Sequence, residues 1–300
     1  MTQETKDLNK LEIDPKIFDL YDQYCHSMME RREFLSRASK MTVVGGSALA
    51  MAEAMLPNYA EAHTVWFTDK RIKSRYVTFP SPGGNSGKMR GYLVQPKGDG
   101  PFPAVLVIHE NRGLNPHIED VARRAAIEGF VAFAPDGLYP VGGYPGNDVD
   151  GKKQQRALDK PKLLKDLENS ARYLKSHKLS NGKLGAVGFC FGGFVVNHLA
   201  AKLGTDLNAG VPFYGRAVKG DAVSKVKSPL LFVYAENDKK VNAMIPAYHK
   251  ALKANGTEFE AETYPGTRHG FHNNSTPRFN ELQAKKAWER SIAFFKKHLS

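Results

Sequence analysis

The chain has 300 residues, 41% hydrophobic and 25% charged, an ordinary globular composition with length for one large α/β domain or two small ones. Its net charge of +12 is spread over scattered lysine pairs such as Lys152–Lys153 and Lys296–Lys297, with no zinc-finger spacing or RNA-binding aromatic motif, so a solvated basic surface and no nucleic-acid partner are expected. No run of 18 apolar residues is present, so no integral membrane segment is expected, and Cys25 and Cys190 are too few for a disulfide framework or a cysteine-rich zinc site.

Residues 1–62 read as something attached to the domain rather than part of it. Arg31–Arg32 precede Phe34–Leu35, a weakly apolar Gly/Ala-rich run covers Met41–Leu56, and a small-x-small site closes it at Ala60–Ala62. That order resembles a twin-arginine export signal, which implies a periplasmic protein beginning near His63. A long acidic n-region and Glu53 inside the apolar run speak against it. The helical spacing of "DPKIFDLYDQYCHSMM" supports the alternative, a retained helical arm on a cytoplasmic protein.

From His63 to Ser300 strands and helices alternate. "RYVTF" (75–79) and "MRGYLVQP" (89–96) read as strands joined by a Pro/Gly-rich hairpin connection. "FPAVLVIHE" (102–110) is the continuous apolar run of a strand buried on both faces. A helix over 117–129, a strand over 130–136, a Gly/Pro-rich loop over 137–147 and a helix near 161–177 follow. The strand "KLGAVGF" (183–189) turns sharply into the helix "FGGFVVNHLAAKL". Strands "AGVPFYG" and "PLLFVYAEN", helix "AMIPAYHKALKA", strand "TEFEAETYP" and a final helix "ELQAKKAWERSIAFFKKHL" complete the chain. This pattern predicts one doubly wound α/β domain, a mostly parallel sheet with an antiparallel start and helices on both faces.

Function in such sheets gathers at the C-terminal ends of strands. Gly188-Phe189-Cys190-Phe191-Gly192 follows a strand and opens a helix, the setting of a nucleophile elbow: the glycines give the turn room, and the helix N-terminus favours a thiolate. Taken alone, the cysteine could equally be small buried filler. Two later loops, "ENDKK" and "GTRHGFH", supply an acid and a base in the chain order of the α/β-hydrolases. Asp238 and His269 are the candidates, with Glu236 and His272 as rivals. His269 and His272 also form a metal-like pair, but no carboxylate or cysteine cluster supports one, and neither metal nor cofactor is expected.

The elbow cysteine, the "END" and "RHGF" loops and "VIHENRG" together resemble the dienelactone hydrolase family, over about residues 75–299. The resemblance implies an α/β-hydrolase fold, a triad of Cys190, His269 and Asp238, and an oxyanion hole from the backbone N–H groups of Phe191 and Asn111. It also gives Glu110 a role in activating the thiol; the plainer reading of Glu110 is a salt bridge to Arg112 or Arg123. Arg112, Tyr139, Tyr214 and Phe271 are the candidate substrate-binding residues. One departure stands out: where the family carries a substrate-binding arginine four residues beyond the histidine, this chain has Asn273, leaving Arg278, Arg112 or Arg156 as substitutes. The expected partner is a small activated ester or lactone, cleaved through a thioester acyl-enzyme. A broad carboxylesterase or thioesterase is the second reading, and a non-catalytic partner-binding protein is the third.

Overall fold

The computed structural model describes residues 13–26, 29, 31–44, 46–59 and 62–300. Three short helices come first: α1 (Pro15–His26), α2 (Arg31–Ser39) and α3 (Ala48–Ala54). They bury Ile17, Leu20, Tyr21, Tyr24, Phe34, Met51 and Met55 in a small core of their own. Ala60 and Glu61 of the expected cleavage site lie outside the described residues, as does half of the acidic n-region.

The remainder follows the predicted alternation: β1 (Ile72–Pro80), β2 (Lys88–Pro96), β3 (Phe102–Ile108), α4 (Pro116–Ile127), β4 (Val131–Pro135), α5 (Asp148–Ala157), α6 (Lys160–Lys175), β5 (Ser180–Phe189), α7 (Phe191–Leu203), β6 (Ala209–Phe213), β7 (Leu230–Asn237), α8 (Lys239–Asn242), α9 (Ile245–Ala254), β8 (Phe259–Arg268) and α10 (Glu281–Leu299). The eight strands form one sheet in the order β1-β2-β4-β3-β5-β6-β7-β8. β1 with β2 and β2 with β4 pair antiparallel, and every later pairing is parallel. This is the α/β-hydrolase-type fold.

The period of two along the strands divides the core. Val105 and Val107 of β3 pack with Ile118 and Val121 of α4 and with Phe295 of α10 on one face. Leu106 and Ile108 pack with Leu167 of α6 and Leu199 of α7 on the other. Where β5 must lie close under α10, glycine stands: a Cβ on Gly185 would sit 2.8 Å from the Phe295 ring.

The sequence does not predict α5. Its residues are polar and Gly151 interrupts it, so no apolar stripe marks it. Tertiary contacts hold it instead: Asn147 caps it, accepting from the Asp150 N–H at 2.9 Å, and Gly151 packs against the Arg112 carbonyl.

Candidate functional site

β5 ends at Phe189, and Cys190 then adopts φ 56°, ψ −107°, a conformation that bulky L residues avoid. The turn is held by backbone. The Cys190 N–H donates to the Phe213 carbonyl at 3.1 Å, and the Cys190 carbonyl accepts the Phe194 N–H at 3.1 Å. The glycines are sterically required. A Cβ on Gly188 would come within 2.2 Å of the Gly192 carbonyl oxygen, and one on Gly192 within 2.2 Å of the Ile108 carbonyl oxygen. Gly193 and Gly215 meet backbone to backbone in the same way. The end of β3 is thereby pressed against the N-terminus of α7.

Asp238 ends the β7 loop and caps α8, its Oδ1 accepting the Val241 N–H at 3.1 Å. Its Oδ2 lies 2.5 Å from His269 Nδ1, and both residues are buried. Burial disfavours a charged imidazole. The Cys190 charge, hydrogen bonds with Asp238 and Cys190 and the Asp238 charge outweigh it, raising the His269 pKa to about 10. Cys190, Asp238 and His269 therefore form one coupled group. The rivals lie elsewhere: Glu236 is exposed and accepts the Gly266 N–H at 2.8 Å, and His272 is buried against Phe189 with ring centroids 4.9 Å apart.

Glu110 is buried, and Asn273 Nδ2 donates to its Oε2 at 3.3 Å. Burial alone would raise its pKa, but the charges of Arg112, Arg278, His117 and His269 hold the carboxyl below its ordinary value. Arg112 pairs with Asp148 at 2.5 Å, and Arg123 donates to the Val65 carbonyl and lies 3.5 Å from Asp120. The preceding His109, which sequence reasoning passed over, fixes the loop. The Gly137 N–H donates to its Nε2 at 3.2 Å, so Nδ1 carries the proton and donates to the Glu110 carbonyl at 2.6 Å. Its signal was a histidine directly after the apolar β3 run.

A cavity of about 650 Å³ opens beside Cys190, Asp238 and His269. Asn111, Phe191 and Tyr214 also line it, as sequence reasoning expected of site residues. Tyr214 has φ 39° and its ring lies 4.8 Å from that of His269. Three other expected substrate residues lie outside this lining. Arg112 faces a separate cavity of about 290 Å³ between the helical arm and the domain. The Tyr139 ring lies under the Arg90 guanidinium at 5.4 Å, and Phe271 is fully buried against Tyr214 and Tyr264. The residues that line the cavity instead include Phe194, Val218, Val241 and Met244, together with the cations Lys160, Arg216, Lys219 and Lys240. Most come from α6, α7 and the segment after β6, too far from the quoted motifs for spacing to reveal.

Residues 89–299 match the dienelactone hydrolase family. The chain belongs to that family. Residues 5–42 match a second family, described as YqhI-like. The "Putative hydrolase fragment YghX" of Escherichia coli is 58% identical over 114 residues, which is 38% of this chain and 97% of that one. The "Putative carboxymethylenebutenolidase" of Aquifex aeolicus is 33% identical over 225 residues, 72% of this chain and 96% of the relative. The crystal structure of the "Putative Dienelactone Hydrolase" of Klebsiella pneumoniae superposes with TM-score 0.66 at 27% identity, covering 75% of this chain and 99% of that one. This dienelactone hydrolase family member is a carboxylic ester hydrolase.

Proposed function

We propose that the chain hydrolyses small activated esters or lactones by covalent catalysis at Cys190. The observation that carries this reading is the convergence of the Cys190 elbow, His269 and Asp238 on one cavity, with Asp238 and His269 2.5 Å apart. His269 takes the thiol proton, and the resulting thiolate attacks the substrate carbonyl. Asp238 orients the imidazole and stabilises its charged form. The Phe191 and Asn111 N–H groups receive the oxyanion, each contributing about 3 kcal/mol by analogy with deletions of single donors elsewhere. The tetrahedral adduct collapses by expelling the alkoxide or enolate, which takes the proton from the His269 imidazolium, and leaves a thioester on Cys190. His269 then deprotonates water, the hydroxide attacks the thioester, and the acid leaves with Cys190 restored.

A thiolate leaves more readily than an alkoxide or an amine, so adducts with poor leaving groups revert. Enol lactones, aryl esters and thioesters are therefore substrates of this machinery, and ordinary amides are not. The apolar wall of Phe194, Val218, Val241 and Met244 favours an acyl group of some bulk, which also supports the thioesterase reading. Asp238 is the sole acid among the lining residues against the four cations, so a substrate bearing its own carboxylate suits the rim. The test is a panel of aryl esters, enol lactones and thioesters, with and without a carboxylate, on wild type and Cys190→Ala. Cleavage by wild type with none by a folded Cys190→Ala supports the mechanism; full activity in Cys190→Ala overturns it.

A further inference from the structure

His269 directly follows Arg268, the last residue of β8, which is paired with Asn237 of β7. β8 is an edge strand, paired on one side by β7, and that pairing slips register between Ala235 and Asn237, beside the catalytic loops. The chain then passes through Gly270 at φ 86° into a loop without helix or strand before α10. A triad needs its base held to about 0.5 Å. The hydrogen bond to Asp238 fixes one ring nitrogen, and a turn bond from the Phe271 N–H to the Arg268 carbonyl at 3.1 Å spans the backbone around it.

Helix α1 supplies contacts on both flanks of that histidine. On one side Arg268, the residue directly before His269, lies 3.5 Å from Asp19 and stacks over the Phe18 ring at 4.6 Å. On the other side Arg278 is buried with its guanidinium 4.9 Å from the Tyr21 ring centroid. The inner edge of that guanidinium rests on the histidine loop itself: a Cβ on Gly270 would lie 2.8 Å from Arg278 Nη2. Tyr21, Arg278, Gly270 and His269 thus make a continuous path of contact from the arm to the imidazole. A fourth tie comes from the connection after α3, where the Asn58 N–H donates to the Ser275 carbonyl at 2.7 Å.

We propose that α1 is a positioning element of the hydrolytic site, in which Phe18, Asp19 and Tyr21 clamp the two arginines flanking His269 and hold the imidazole against Asp238 and Cys190. This rests on His269 being the base proposed above. It makes the arm a working part of the enzyme, since a chain beginning at His63 lacks all three residues.

The experiment uses the full-length chain. Tyr21→Ala, the double variant Phe18→Ala/Asp19→Ala and the conservative Tyr21→Phe are compared with wild type, each checked for folding by thermal melting. Two quantities are read: kcat and KM on an aryl ester, and the rate of Cys190 alkylation by iodoacetamide against pH, scored on the Cys190 peptide so that Cys25 does not contribute. Loosening the base predicts a fall in kcat of about ten- to a hundredfold, KM within about twofold, and an alkylation midpoint shifted upward because the imidazolium no longer stabilises the thiolate. Tyr21→Phe keeps the ring over Arg278 and retains wild-type values. A general loss of stability moves neither the midpoint nor kcat of the folded fraction. If Tyr21→Ala fails to fold, Phe18→Ala/Asp19→Ala carries the test, because Asp19 is 74% exposed. Folded variants with wild-type kcat and midpoint overturn the clamp. His269→Ala is the control for the underlying reading: if it shifts the midpoint while the arm variants do not, only the clamp fails, and if it leaves turnover and midpoint unchanged, the triad itself fails.

Discussion

Asn273 turns its side-chain amide towards Glu110, donating to the carboxylate at 3.3 Å, while its carbonyl oxygen accepts from the Ser275 N–H at 3.0 Å and the Ser275 hydroxyl at 2.6 Å. Asn273 is thereby committed to holding the buried Glu110 carboxylate. That acid is ionised, since neighbouring cations hold its pKa below the ordinary value despite burial.

An ionised carboxylate close to a thiol disfavours the thiolate. Glu110→Gln should therefore move the Cys190 alkylation midpoint to lower pH, while turnover falls by about a hundredfold if Glu110 takes part in proton transfer. The two effects have opposite signs for reactivity, which separates this role from structural damage. An unmoved midpoint means that Glu110 does not act on the thiol.

Arg216 is exposed and is the one arginine among the four cations lining the cavity. Arg216→Ala should raise KM about fivefold for a carboxylate-bearing ester, the value of roughly 1 kcal/mol for an exposed charge pair. KM for the neutral analogue should stay put. Equal changes on both esters would remove Arg216 from substrate recognition.

Stability should weaken in mild acid through buried histidines. Burial, assisted by the Arg124 charge, lowers the His117 pKa from 6.5 to about 4, and burial pushes His272 well below 6.5. Between those values the unfolded chain binds protons that the folded chain refuses, so stability is complete above about pH 6.5 and is lost as pH falls towards 4. For His117 the loss amounts to about 3 kcal/mol. His272 Nδ1 is buried without a hydrogen-bond partner among the described residues, and the ring lies among Phe189, Phe213 and Trp288. His272→Phe should accordingly narrow the difference in Tm between pH 7 and pH 5. An unchanged difference assigns the acid sensitivity to other groups.

Export and retention of the arm predict different mature proteins. Export, proposed on Arg31–Arg32 with Phe34–Leu35, expects a periplasmic chain beginning near His63, which Arg31→Lys with Arg32→Lys would trap in the cytoplasm at full length. Retention, which the clamp requires, expects Met1–Ser300 to persist in the active protein. N-terminal sequencing of the active fraction decides between them.

The strands and the elbow were legible because each rests on local rules. Continuous apolar runs mark β3 to β7, and Gly188 and Gly192 mark a turn that excludes any Cβ. Asp238 was preferred to Glu236 because Glu236 lies closer to its strand, whereas spacing did not separate His269 from His272. What stayed hidden depends on contacts between distant segments. Arg112 looked like a substrate ligand until Asp148, 36 residues on, took its guanidinium. Phe271 sits next to the catalytic loop in sequence yet faces the core. The cavity wall draws on Lys160 and Phe194, which no strand-end rule would bring together.

The interlocked glycines of the elbow bear on how such an enzyme can change over generations. At Gly188, Gly192, Gly193 and Gly215 the opposing atoms are backbone, so no rotamer shift makes room for even one methyl group. A lineage carrying this turn cannot vary it by single steps, because each intermediate loses the geometry of the bend at Cys190 before gaining anything. Ala217, Val218, Ala222 and Met244, on the cavity wall, carry no such restriction. Inherited variation is thereby channelled into the wall, and new substrates can be sampled there one residue at a time while the chemistry stays the same.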